Sequence, residues 1–218
     1  MPKKIKLIIF DLDGTLVDAY QAVAASLNHA LKSFGYPAID DLTIKRSVGW
    51  GDKNLISKFV PAEDVDRVLS VYRSHHRSAL KSGTKFLPGA KQVLVQLKNE
   101  GFKLAIASNR PSRFTHIILK HLDVQSHFAA VVCADQVGAP KPAPDCLDRI
   151  LKTCRIGPEE ALYVGDMTID IETGKNAGVS TVGVITGSST EEEIRSLNPN
   201  WIIYHISELR QVLEEFAK

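Results

Sequence analysis

Residues 7–15 read Leu7-Ile8-Ile9-Phe10-Asp11-Leu12-Asp13-Gly14-Thr15, and the rest of the chain is best interpreted outward from this stretch. Four large apolar residues in a row are typical of a strand that is buried on both faces. Two carboxylates follow directly, and Gly14 allows the backbone to turn sharply after them. The stretch therefore predicts a central strand that carries two acids at its carboxyl end, where open α/β sheets bind ligands.

The composition is that of an ordinary globular protein. The chain has 218 residues, of which 44% are hydrophobic and 24% charged, and its formal net charge is +2. This small charge gives no support for binding to nucleic acid or to a membrane surface. No apolar run approaches the ~18 residues of a membrane-spanning helix, so we expect a cytoplasmic location. Cys133, Cys146 and Cys154 lack CxxC spacing, and we expect them to be reduced and buried.

Helical and strand patterns divide the chain into two regions. Residues 18–83 contain three or four helical patterns and no strand pattern, which predicts a small α-helical cap domain inserted into the chain. In residues 84–218 strands alternate with helices. With the first strand this gives six strands, and it predicts a doubly wound parallel sheet in an α/β core domain of residues 1–17 and 84–218. Linkers are expected near residues 15–19 and 82–88.

Polar residues follow four of the predicted strands. They are, in chain order, Asp11 with Asp13, Ser108 with Asn109, Lys141 between two prolines, and Asp166 with Asp170. Because the carboxyl ends of parallel strands lie along one edge of a sheet, we expect these side chains to meet there. Clustered carboxylates repel one another, and Mg²⁺, which prefers oxygen ligands, relieves this repulsion. Mg²⁺ and one lysine together make the site suitable for a phosphoryl group. One Asp can attack the phosphorus atom while a second acid transfers the proton.

In order and spacing, these motifs resemble the four signature motifs of the haloacid dehalogenase superfamily over residues 7–178. The helical insert is similar to the cap of the branch that contains phosphoglycolate phosphatase and β-phosphoglucomutase. The resemblance implies a Mg²⁺-dependent phosphatase that hydrolyses a small phosphorylated metabolite through an aspartyl-phosphate. The acid at position 13 favours fast turnover of that intermediate. It also disfavours dehalogenation, because the dehalogenases of this superfamily lack the second acid.

The resemblance also implies a role for each acid. Asp11 would be the nucleophile, and Asp13 would be the general acid and base. Mg²⁺ would be held by the carboxylates of Asp11 and Asp166 and by the main-chain carbonyl of Asp13. Asp170 would support the ion through water or through its neighbours.

The remaining motif residues are expected to contact the substrate. Ser108, Asn109 and Lys141 would hold the phosphoryl oxygens, with Lys141 counted among the catalytic residues. Arg46 and the loop of residues 49–51 resemble the substrate-specificity loop of this branch.

Several alternatives stay open at this stage. The activity could be that of a sugar phosphomutase, an inorganic pyrophosphatase or a phosphorylatable signalling domain. Thr15 is interpreted as a turn-stabilising hydroxyl, and Arg110 and Arg113 are further candidates for contact with an anionic substrate. His75 and His76 are adjacent on a helix and should point apart, which disfavours a shared metal. The sequence does not choose between a monomer and a homodimer, nor does it name the substrate.

Overall fold

The computed structural model describes residues 5–216, and its centre is a parallel sheet. The strands within these residues are β1 (Leu7–Phe10), β2 (Val17–Asp18), β3 (Lys85–Phe86), β4 (Lys103–Ser108), β5 (Ala130–Cys133), β6 (Ala161–Gly165), β7 (Ser180–Val184) and β8 (Trp201–Ile203). Six of them form one sheet in the order β5-β4-β1-β6-β7-β8, with every pairing parallel. The predicted α/β class and doubly wound sheet are confirmed.

Helices cover both faces of this sheet and form the insert. They are α1 (Tyr20–Ser33), α2 (Asp41–Ser47), α3 (Asp52–Ser57), α4 (Val65–Ser82), α5 (Ala90–Asn99), α6 (Ser112–His121), α7 (Asp145–Cys154), α8 (Thr168–Asn176), α9 (Glu191–Ser196) and α10 (Leu209–Phe216). Short 3-10 turns span Ala62–Asp64, Gln125–His127, Ala134–Gln136, Pro158–Glu160 and Ile206–Glu208. Across residues 5–216, none of the helices has both the length and the apolar character needed to cross a bilayer.

Strand β1 lies in the middle of the sheet, between β4 and β6, and its four side chains are fully buried. Ile8 and Phe10 pack with α5, α6 and α10 on one face. Leu7 and Ile9 pack with α7 on the other face. Both faces are therefore covered, which is why this strand is a continuous apolar run and not an alternating one.

The helical insert, α1–α4, has a core of its own. Helices α1 and α4 pack along each other, and the shared core includes Leu27, Leu31, Ile44, Ile56 and Val68. The helices lie within the predicted cap of residues 18–83. Of the predicted core segments, residues 1–4 and 217–218 lie outside the described residues.

The two linkers of the insert pair with each other, which the sequence did not predict. Val17 pairs with Phe86 and Asp18 with Lys85, forming the antiparallel β2–β3 ladder. Each strand has only two residues, too few to produce a period in the sequence. The ladder holds the two ends of the insert side by side, directly after the turn that carries the acids.

Candidate active site

Asp11 and Asp13 lie where the chain leaves β1. The Asp11 backbone N–H donates to the Val164 carbonyl at 2.9 Å, so Asp11 is still held by the edge of the sheet. The chain then turns at Gly14, which has a φ of +80°. A Cβ at this position would lie 2.5 Å from Oδ2 of Asp166. Glycine is therefore required by both the backbone conformation and the neighbouring carboxylate.

Lys141 reaches the acids from the loop that follows β5. Its side chain is buried, and Nζ donates to Asp11 Oδ1 at 2.8 Å, to Asp170 Oδ1 at 2.6 Å and to the Tyr163 hydroxyl at 3.0 Å. Burial alone would lower the pKa of Lys141, but Asp11 and Asp170 raise that pKa well above its ordinary value. One ammonium group is thus shared between two buried carboxylates.

Asp166 lies on the other side of Asp11 and receives only neutral donors. Thr15 Oγ1 donates to its Oδ1 at 2.9 Å, and the Ser188 backbone N–H donates to its Oδ2 at 2.9 Å. The side chain is fully buried, and a Cβ at Gly187 would overlap the carboxylate at 1.6 Å. Among the described residues, no cationic side chain contacts Asp166.

The resulting cluster has more negative than positive charge. Asp11, Asp166 and Asp170 each offer a carboxylate oxygen, and these oxygens lie within 4.8 Å of one another. Burial, only partly opposed by Lys141, raises the pKa of Asp11 to about 7. Burial and the nearby Asp11 and Asp170 raise the pKa of Asp166 well above its ordinary range. A buried oxygen-only donor set with one unneutralised carboxylate fits an oxygen-coordinated divalent cation.

Asp13 is held by a chain of hydrogen bonds that leads into the insert. Arg110 donates through Nε to Oδ2 of Asp13 at 2.7 Å and through an Nη to Oδ1 at 2.8 Å. Its other Nη lies 2.7 Å from Nε2 of His76, which must accept because a guanidinium only donates. The His76 proton is therefore on Nδ1, which lies 3.0 Å from Ser26 Oγ, and that hydroxyl donates to the Ala22 carbonyl.

Ser108 and Asn109 lie at the end of β4, and their side chains have different surroundings. Asn109 Oδ1 accepts from the Lys141 backbone N–H at 2.9 Å, and Nδ2 donates to the carbonyls of Lys141 and Gly49 at 3.2 and 3.1 Å. The Asn109 amide thus holds the lysine loop against the insert. Ser108 Oγ accepts from the Arg110 backbone N–H at 3.2 Å.

A cavity of about 70 Å³ lies between the insert and this edge of the sheet. Its charged and small polar lining residues are Asp11, Asp13, Asp52, Ser108, Asn109, Arg110, Lys141 and Ser188. Its apolar and aromatic lining residues include Tyr20, Val23, Val48, Leu55, Tyr72, Phe114 and Met167. Asp166 and Asp170 lie behind Asp11, outside the lining.

Arg46 is the one predicted site residue that the structure places elsewhere. Its guanidinium forms a two-pronged ion pair with Glu193 at 2.6 and 3.0 Å and also donates to the Ser188 carbonyl. The side chain is 42% exposed and does not line the cavity. The acid of α9 therefore occupies the Arg46 cation in this structure. Of the neighbouring loop, Gly49 and Gly51 line the cavity, and Trp50 is exposed.

Some contacts of the site could not be inferred from the motifs. The sequence indicates only a turn role for Thr15, yet its hydroxyl donates to Asp166. Tyr163 donates to Asp170 Oδ1 at 2.8 Å from within β6, where it looks like an ordinary core aromatic. His75 stacks on His29 and His76 faces Arg110, but Nδ1 of both rings lies near the Ser26 hydroxyl, at 3.2 and 3.0 Å, so the two rings do not point fully apart. The only signal in the sequence for His76 was a polar residue on the buried face of α4.

Fold and site together define an α/β protein with buried acids and a lysine clustered at the carboxyl edge of its parallel sheet. The chain matches the haloacid dehalogenase-like hydrolase family over residues 8–184. A phosphoglycolate phosphatase from Mesorhizobium japonicum is 31% identical over 216 residues, covering 96% of this chain and 95% of that protein. One from Aquifex aeolicus is 31% identical over 210 residues, covering 96% and 97%. A crystal structure of a predicted phosphoglycolate phosphatase from Haemophilus somnus superposes with a TM-score of 0.89 at 24% identity, covering 95% and 97%.

The chain belongs to the haloacid dehalogenase-like hydrolase family, and the resemblance of its four motifs is confirmed. Within that family, similarity to phosphatases over nearly the whole chain makes it a phosphoric monoester hydrolase.

Proposed function

We propose that the chain is a Mg²⁺-dependent phosphatase that hydrolyses a small phosphorylated metabolite through an aspartyl-phosphate on Asp11. The observation that carries this proposal is the convergence of Asp11, Lys141, Asp166 and Asp170 at one strand edge. Asp13 stands beside them on the lining of the same cavity. Nucleophile, buried cation and proton-transferring acid are therefore adjacent.

The residues that would hold Mg²⁺ are the carboxylates of Asp11 and Asp166 and the main-chain carbonyl of Asp13. Asp170 would act indirectly, because Oδ1 is engaged by Lys141 and Tyr163 and Oδ2 accepts from the Met167 backbone N–H at 3.0 Å. When bound, the ion would neutralise phosphoryl oxygens as negative charge accumulates on them. Thr15, Gly14 and Gly187 would keep the Asp166 carboxylate in place.

The reaction would then consist of two successive displacements at phosphorus, in which Asp11 and Asp13 have different roles. In the first, an Asp11 oxygen forms a bond to phosphorus while the bond to the alcohol oxygen breaks, and Asp13 gives that oxygen its proton. In the second, Asp13 takes a proton from water as the water oxygen attacks phosphorus and the bond to Asp11 breaks. Inorganic phosphate leaves, and Asp13 is again protonated. Lys141 would bind a phosphoryl oxygen in both steps, and Ser108 would offer its hydroxyl.

The helical insert, residues 18–83, would act as a cap on this site. It supplies Tyr20, Val23, Leu55 and Tyr72 to the cavity wall. The short β2–β3 ladder between the insert and the sheet is a suitable hinge, because only two residue pairs join there. Closure would exclude bulk water and bring these side chains to the leaving group.

The nucleophile is tested by Asp11→Asn with p-nitrophenyl phosphate as substrate and released nitrophenol as the readout. We expect the Mg²⁺-dependent rate to fall at least about 10³-fold, because an amide cannot form the phosphoenzyme. Asp148→Asn, an exposed acid on α7, serves as the matched control and should keep the wild-type rate. A near wild-type rate in Asp11→Asn would exclude Asp11 as the nucleophile, and a wild-type rate in EDTA would exclude the metal.

A further inference from the structure

We propose that the cavity next to Asp13 selects phosphomonoesters whose alcohol part is apolar and uncharged, and that it disfavours alcohols carrying a carboxylate, such as glycolate. This inference rests on the proposed function, because it takes Asp13 as the acid that protonates the departing alcohol. It restricts the proposed substrates to esters of apolar, uncharged alcohols. It also predicts a substrate preference that differs from the phosphoglycolate phosphatase activity named for the relatives.

The position of the alcohol follows from the position of its proton donor. Asp13 must reach the oxygen that leaves phosphorus, so the alcohol departs along the Asp13 side of the cavity. The side chains that line the cavity with it are Val23, Leu55, Tyr72 and Phe114, each at most 4% exposed. An alcohol that fills this space exchanges water for hydrocarbon and aromatic surface.

No cation of this cavity is available to a carboxylate. Its lining contains Lys141 and Arg110 as basic residues, within the part of the chain that the structure describes. Lys141 is shared by Asp11 and Asp170 and is the cation proposed for the phosphoryl group, and Arg110 donates to both oxygens of Asp13 and to His76. A substrate carboxylate would have to displace one of these acids or remain unpaired.

The remaining charged group of the lining is itself an acid. Asp52 begins α3, and its carboxylate is only 10% exposed. Arg73 donates to both of its oxygens, at 2.7 and 2.8 Å, from outside the lining. Arg73 therefore neutralises Asp52, and the pair offers no free cation to the alcohol site. An apolar alcohol gains free energy at this site, whereas a carboxylate would lose its hydration without gaining a cationic partner.

Binding of two non-hydrolysable phosphonates tests the preference without turnover. n-Butylphosphonate and 3-phosphonopropionate have chains of similar length, and only the second ends in a carboxylate. Titration calorimetry with the wild-type protein and Mg²⁺ should give at least about tenfold tighter binding for n-butylphosphonate. Equal or tighter binding of 3-phosphonopropionate would overturn the proposal.

Turnover supplies the second measurement. Released phosphate is compared for n-butyl phosphate, benzyl phosphate and 2-phosphoglycolate, and we expect kcat/KM for the first two to exceed that for 2-phosphoglycolate at least about tenfold. A higher kcat/KM for 2-phosphoglycolate overturns the inference and leaves the proposed function standing. If no ester is hydrolysed but n-butylphosphonate binds preferentially, the inferred cavity selectivity stands and the phosphatase proposal fails.

Two variants connect the preference to named side chains. Leu55→Ala should reduce the ratio of kcat/KM for n-butyl phosphate to kcat/KM for 2-phosphoglycolate at least about fivefold. Leu69 is a buried leucine of the insert that does not line the cavity, and Leu69→Ala should leave that ratio unchanged. Asp52→Asn should shift the ratio toward 2-phosphoglycolate, because it leaves Arg73 free to pair with a carboxylate. Asp66→Asn, an exposed acid of α4, should not. An unchanged ratio in both Leu55→Ala and Asp52→Asn would contradict the assignment of this wall to the alcohol.

Discussion

At the scale of single residues, Asp166 is the acid that we expect to respond most to a metal ion. It is fully buried, its donors are neutral, and its carboxylate lies next to two others. Mg²⁺ at a hundred times its Kd should stabilise the wild-type fold by about 2.7 kcal/mol, and Asp166→Asn should abolish most of this effect. Without metal, the variant should be at least as stable as the wild type, because it removes a buried charge that no cation neutralises.

Thermal unfolding with and without Mg²⁺ measures both effects. Asp148→Asn, whose side chain is exposed, should retain the full metal-dependent rise in Tm. A rise of wild-type size in Asp166→Asn would remove this residue from the ligand set. A large loss of metal-free stability would show that the carboxylate is needed for the fold itself.

At the scale of elements, Asn109 connects the end of β4, the lysine loop after β5 and the Gly49 loop of the insert. Asn109→Ala leaves the Lys141 N–H and carbonyl without these partners, which should cost about 1–3 kcal/mol of unfolding free energy. It should also lower kcat/KM at least about tenfold, because Lys141 loses its fixed position against the phosphoryl group.

Urea unfolding and steady-state kinetics on the same samples check the Asn109 prediction. Asn176→Ala is the matched control, since Asn176 donates to the next carbonyl of the same loop, that of Pro142, but from an exposed position. It should change stability by less than about 0.5 kcal/mol. Equal effects of the two variants would mean that Asn109 is not a special link between the elements.

Elements that depend on residues close together in the sequence were predictable, and contacts between segments far apart in the sequence were not. The buried run of β1 and the capping box of α9, in which Thr190 and Glu193 exchange hydrogen bonds, both follow from neighbouring residues. Asn109 was also recognisable from its strand-end motif, and Arg46 from the resemblance to a substrate-specificity loop. Their partners come from segments far away in the chain, so the side-chain directions depend on how the insert sits on the sheet.

At the scale of the whole molecule, the insert and the sheet are joined by a buried polar connection through His76. Its ring is inaccessible to solvent, stacks on Tyr72 at 4.8 Å and meets the edge of Phe114 at 5.0 Å. Arg110 faces it from the sheet side, and His75 and Ser26 face it from the insert. Burial and then the Arg110 charge lower the pKa of His76 to about 2, so the folded protein keeps this ring neutral.

This neutral ring should make the docked state sensitive to acid. Because an unfolded histidine has a pKa of about 6.5, the unfolded chain takes up a proton below that pH and the folded chain does not. Between pH 7.5 and pH 5, His76 should therefore remove about 2 kcal/mol from the free energy of unfolding.

In His76→Gln the amide can still accept from Arg110 and donate to Ser26, but it does not titrate. Urea unfolding at both pH values should show a pH-dependent loss smaller by about that amount in the variant. His121→Gln, an exposed histidine of α6, should lose as much stability as the wild type. Identical pH dependence in His76→Gln and wild type would mean that His76 is protonated in the folded protein, and that the Arg110 contact is not the one that docks the insert.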